Sequence, residues 1–184
     1  SNVSGNTNVE LKGEGVHVYS VVGGGLVDED EGAANVGKNT NITISGGAWA
    51  GDTEVSSSQP DKIAVAGGGH ILSNDPSMIG TNSDIKTATT NVGGEVHITL
   101  NGITGNLVDC IVGGCYDAGK SNADKITGTT GPVKIDIDNC RFESQFHRIF
   151  GGGYVAWGGN NRDIQVKGNV EITVDHSTVQ YLYG

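Results

Sequence analysis

Glycine triplets recur along this chain at one place in a repeating unit. They read VVGGG ending at Gly25, VAGGG ending at Gly69, IVGGC ending at Cys115, IFGGG ending at Gly153, and a shortened LYG ending at Gly184. Their starts at Gly23, Gly67, Gly113 and Gly151 are 44, 46 and 38 residues apart. A period of this size marks a repeat architecture, in which one supersecondary unit cannot bury its apolar face alone and stacks on its neighbours.

A second block precedes each triplet: VELKG from Val9, ITISG from Ile42, ITLNG from Ile98, IDIDN from Ile135 and ITVDH from Ile172. Apolar and polar residues alternate in all of them, which predicts half-buried strands with one face inward. The short stretch before each triplet forms a second strand, with Val21, Val65, Ile111, Ile149 and Leu182 in one inward column. The polar segments 26 to 39, 70 to 95, 116 to 132 and 154 to 169 fall at a common place in the unit. They are expected to be long loops emerging on one side.

Composition agrees with strands. Twenty Val, 15 Ile and 15 Thr stand against 6 Leu, the balance of a β-protein rather than a helical one. Three prolines without a G-X-Y period exclude collagen, and no apolar run is long enough to form a membrane-spanning helix. No membrane insertion is expected. A net charge of −10 repels phosphate backbones, so no nucleic-acid partner is expected either.

A sandwich with Greek-key links would place each strand in a different environment and would need no residue-by-residue repetition. Stacked units put equivalent residues above one another about 4.8 Å apart, which gives the repetition a physical cause. The triplets suit tight corners where positive φ and close backbone approach exclude a Cβ. The expected fold is all-β: a right-handed parallel β-helix, or solenoid, of about five rungs, its hand taken from the crossover rule. Residues 1–184 form a single β-helix repeat domain, expected to be a segment of a larger protein because no cap is visible at either end.

These alternating strands and glycine corners resemble the glycine-rich β-helix repeats, adhesin-like and pectin-lyase-like, of secreted and cell-surface bacterial proteins. The likeness runs from Val9 to Gly184, departing at Cys115, between Gly51 and Lys62, and across 70 to 95. It implies a non-catalytic module, extracellular or on the bacterial cell surface, acting as a rigid spacer and glycan-binding surface. Its partners would be a glycan or host-surface ligand, flanking domains, or further copies in end-to-end association. The alternative it implies is a polysaccharide lyase or hydrolase with an acidic calcium-binding face.

Two outward columns carry that chemistry. Asn101, Asp138 and Asp175 align, with Asp136 two residues along the same face. Three carboxylates so placed suit calcium or a carboxylate pair with split pKa values, or else form a solvated acidic face. No other cofactor is expected, and Lys134 opposite Glu171 is expected to form an ion pair. Just after the triplets come Leu26, His70, Tyr116 and Tyr154, with Trp157 three residues further on. Aromatic faces there would hold a sugar ring, or else stack on one another as a ladder.

Other motifs give less. The run Asp28, Glu29, Asp30, Glu31 has its glycine one place early for an EF-hand and Asn39 where a bidentate Glu is required, so it reads as a solvated loop. His17, His70, His97, His147 and His176 show no HExxH spacing, and no helix-opening GxGxxG appears. Cys110, Cys115 and Cys140 lack zinc spacing; a bridge between Cys110 and Cys140 and buried free thiols are both compatible with the pattern.

Overall fold

The computed structural model describes residues 2–27, 31–51, 63–71, 87–105, 110–117, 125–142, 148–155 and 161–184. Among these there is no helix, and hence none long and apolar enough to cross a membrane. All strand pairing between them is parallel, and each strand pairs with its equivalent in a neighbouring unit.

The blocks predicted from alternation form one five-stranded sheet, Thr7–Lys12, Thr40–Ser45, Val96–Asn101, Val133–Asp138 and Val170–Asp175, in chain order. Val9, Ile42, Ile98, Ile135 and Ile172 fall in a single register. Inner strands bury every second residue, and their side chains join the largest apolar cluster. The strands before the triplets, Val21–Val22, Ile63–Ala66, Cys110–Val112, Arg148–Phe150 and Tyr181–Tyr183, make a second five-stranded sheet. Val21, Val65, Ile111, Ile149 and Leu182 align as expected. Leu182 departs in burial: it is 50% exposed against 1% for Ile149, because no strand covers it.

The segments expected to be loops each carry two strands. A four-stranded sheet is built from Leu26–Val27, His70–Ile71, Tyr116–Asp117 and Tyr154–Val155. A third five-stranded sheet holds Asn2–Val3, Glu31–Val36, Thr87–Val92, Lys125–Thr130 and Arg162–Val166. The latter looks polar in sequence because several of its inward positions, Ala34, Thr90 and Gly128, are small or polar. A Cβ on Gly25 would lie 2.5 Å from the Ala34 Cβ, so the corner strand passes too close for a large side chain there.

None of the triplet glycines has positive φ, and all of those from Gly23 to Gly153 except Gly152 sit where a Cβ would meet a neighbour at close range. Gly24 N–H donates to Gly68 O, Gly68 to Gly114 O and Gly114 to Gly152 O, at 2.9 to 3.0 Å. This hydrogen-bond ladder runs through the corner, and a Cβ on Gly68 would sit 2.7 Å from the Gly114 carbonyl. Positive φ belongs to the opposite corner, just after the first sheet. There Gly13, Gly46, Gly102, Asn139 and His176 share one position, with φ of 103, 64, 68, 51 and 44°. These are the last residues of the five alternating blocks, so the turn demands a left-handed residue in every unit.

Candidate functional site

The left-handed corner organises the acidic column. Asn101, Asp138 and Asp175 are in register at the last position of their strands. The corner residue that follows turns back over them. The His176 backbone N–H donates to Asp175 Oδ1 at 3.0 Å, and Asn139 Nδ2 donates to Asp138 Oδ2 at 3.0 Å. The His176 ring lies between the two carboxylates, its Nδ1 3.4 Å from Asp138 Oδ1 and 3.2 Å from Asp175 Oδ1. One donor atom from each of Asp138, Asp175 and His176 lies within 4.8 Å of the others. Two carboxylates and an imidazole at such spacing can face one cation.

Asp136 does not converge on this group. It holds Lys134 Nζ at 3.3 Å along its own strand, so Lys134 pairs there and not across to Glu171, although Lys134 and Glu171 are in register. His176 takes the place expected for Asp136. The signal in sequence was its position: a histidine ending the block where three other units have glycine.

The second column forms an aromatic ladder. Leu26, His70, Tyr116 and Tyr154 align. Tyr116 stacks on Tyr154 with ring centres 5.7 Å apart and planes 10° from parallel, and His70 tilts against Tyr116 at 4.9 Å. Phe150 extends the stack between Tyr154 and Tyr183, at 4.4 and 4.8 Å. Tyr116 is 3% exposed and packs with Ala66, Cys110 and Val112, so its ring faces are spent inside the wall. Half-buried Tyr154 and His70 border the surface. Burial lowers the His70 pKa to about 4 from 6.5. Trp157 and the acidic run from Asp28 to Asp30 lie outside the described residues; Glu31 opens the strand Glu31–Val36.

An ion pair that the sequence did not announce lies beside the ladder. Arg162 Nη1 donates to Asp117 Oδ2 at 2.7 Å, with the side chains 6% and 0% exposed. Asp117 continues the buried column of Val27 and Ile71, and Arg162 continues that of Ala88 and Ile126. Two inward positions thus carry opposite charges that neutralise each other.

Cys110, Cys115 and Cys140 are free and buried, so the Cys110–Cys140 bridge is not formed. Burial pushes the thiol pKa of both Cys115 and Cys140 up, which keeps them protonated and unreactive.

Comparison with protein-family models, with curated proteins and with solved structures finds no match to this chain.

Proposed function

We propose that this chain is a segment of a right-handed parallel β-helix, serving as a rigid spacer and binding surface in an adhesin-like, secreted or cell-surface bacterial protein. Glycans are its proposed ligands. One observation carries the reading: equivalent residues of five successive units stay in register through three separate sheets. Backbone ladders of this length resist bending, and each unit contacts only its neighbours, which suits a spacer. Parallel strands joined by crossovers within one sheet are right-handed in about 98% of cases.

Tyr154, half-buried and stacked between Tyr116 and Phe150, and Trp157, three residues on in the chain, are the proposed contacts for a sugar ring. A glycan array with the wild type, Tyr154→Ala and Trp157→Ala tests binding. Signals lost in both variants support the glycan reading; an array silent for the wild type removes it and leaves the spacer.

A catalytic reading rests on the Asp138, Asp175 and His176 donors, to which calcium is the proposed ion. The non-catalytic reading is preferred because the Lys134 ammonium, the base that a lyase reading would draw on, is engaged by Asp136. Calcium calorimetry on the wild type and Asp138→Ala separates them. Metal heat that the variant loses favours the enzyme, and no metal heat removes it.

A further inference from the structure

The third five-stranded sheet has the weakest means of fixing its register. In the first sheet the inward columns are bulky and buried: Ile42, Ile98 and Ile135, then Ile44, Leu100 and Ile137. In the third, Ala34, Thr90 and Gly128 share one column, and Ala88 stands beside Ile126 in another. Strands rich in glycine and small residues specify register poorly. A slip of two residues leaves every inward residue inward, because side chains alternate with period two.

The strand Arg162–Val166 is open to that slip. It pairs with Lys125–Thr130 so that Ile164 stands opposite Gly128 and Val166 opposite Thr130. On the outward face, Thr127 and Thr129 hydrogen-bond to Thr89 and Asn91 of the preceding unit. Asp163 and Gln165 instead bond to each other along their own strand. The outward side chains therefore tie the inner strands together and leave this one to its inward face. Slipped by two residues, Ile164 would stand opposite Ile126 and Val166 opposite Gly128. Aliphatic side chains would again fill both places.

Arg162 removes this freedom. In the observed register its Nη1 donates to Asp117 Oδ2 at 2.7 Å, with side chains 6% and 0% exposed. Asp117 follows the corner at Cys115, and Arg162 belongs to the next unit, so the contact crosses from one unit to its neighbour. The columns around it are aliphatic: Ile71 and Val155 flank Asp117, and Ile126 adjoins Arg162. In the slipped register Ile164 would take the place of Arg162, and the Asp117 carboxylate would stay buried with no cation against it. A buried charge that loses its partner is costly, whereas replacing both partners by apolar residues is often neutral or stabilising. We infer that Asp117 and Arg162 form a register key, a pair whose role is to select one alignment of the strand Arg162–Val166 over its two-residue slip.

Nuclear magnetic resonance on the labelled chain tests the inference, with circular dichroism reporting the fold and melting of each variant. Asp117→Val combined with Arg162→Ile copies Val155 and Ile126 from the two columns. In the wild type, backbone cross-strand contacts should join Ile164 to Gly128 alone. The apolar variant should melt no lower than the wild type and should show two sets of resonances for this strand, one with Ile164 against Gly128 and one with Ile164 against Ile126. A single register in that variant, at whatever melting temperature, overturns the inference, because the pair then acts on stability alone. Should the apolar variant not fold, Asp117→Ala combined with Arg162→Ala carries the same comparison: two registers support the key, and one overturns it.

Discussion

Cys115 and Gly128 exchange a side chain. In three units the third corner residue is glycine, Gly25, Gly69 or Gly153, and the strand beside it presents Ala34, Thr90 or Ile164. In the remaining unit the corner carries Cys115, and its neighbour is Gly128, where a Cβ would lie 2.7 Å from the Cys115 Cβ. The departure from the triplet is thus compensated one sheet away.

Coupling between the two positions follows from that geometry. Gly128→Ala overfills the site and should cost about 1 to 3 kcal/mol. Cys115→Gly leaves a void and should cost about 1 kcal/mol or more. The double variant recreates the Gly25 and Ala34 arrangement and should recover most of the loss. Urea denaturation of all four proteins measures the cycle, and additive losses would contradict the pairing.

One substitution at two equivalent glycines should give opposite results. Gly68→Ala meets the Gly114 carbonyl at 2.7 Å and cannot move it without breaking the corner ladder, so a loss of about 3 kcal/mol is expected. Gly152→Ala meets nothing within 4 Å and should stay within about 0.5 kcal/mol of the wild type. Melting temperatures of the two variants decide it.

At the left-handed corner the sign reverses. Asn139 and His176 occupy a conformation that their neighbours in the column reach with glycine. Asn139→Gly removes about 1 kcal/mol of backbone strain, less the entropy glycine restores to the unfolded chain, for a net gain of a few tenths. Gly46→Ala should lose about 1 kcal/mol or more. Equal effects at the two positions would contradict the shared turn.

Stability should depend on pH through His70. Its folded pKa of about 4 lies below the unfolded 6.5, so the unfolded chain binds more protons between these values. The contribution is fully present above pH 6.5, is lost as pH falls towards 4, and totals about 3 kcal/mol. His70→Leu, which copies Leu26 in the same column, should lack this component. Denaturation midpoints from pH 7 to 4, taken as the difference between the two proteins, measure it.

Removing one partner of the buried ion pair should cost more than removing both. Asp117→Ala leaves the Arg162 guanidinium charged in the wall and should cost about 3 to 5 kcal/mol. Asp117→Ala combined with Arg162→Ala should recover part of that loss, read by the same denaturation experiment.

The repeat made two sheets legible, because alternation around Ile42 and Ile98 and the aliphatic column through Val65 and Ile111 each state which face is buried. The third five-stranded sheet was hidden. Ala34 and Thr90 lie close against the glycine corner and Gly128 makes room for Cys115, and small or polar residues read as loop. Positive φ was assigned to the wrong corner for a related reason: Gly24 and Gly68 advertise flexibility but serve proximity, whereas the left-handed position is marked by single residues, Gly46 through His176. In the acidic column the register of Asp138 with Asp175 could be read from spacing. The turn that swings His176 over them, and the local pairing that removes Asp136, depend on backbone geometry that alternation does not encode.

Cross-strand nuclear Overhauser effects on the labelled protein test the stacking most directly. The strand Val96–Asn101 should show parallel-pattern amide-to-α-proton contacts to both Thr40–Ser45 and Val133–Asp138, with Ile98 lying between Ile42 and Ile135. Close α-proton to α-proton contacts of antiparallel hairpins, or a register displaced by one residue, would contradict it.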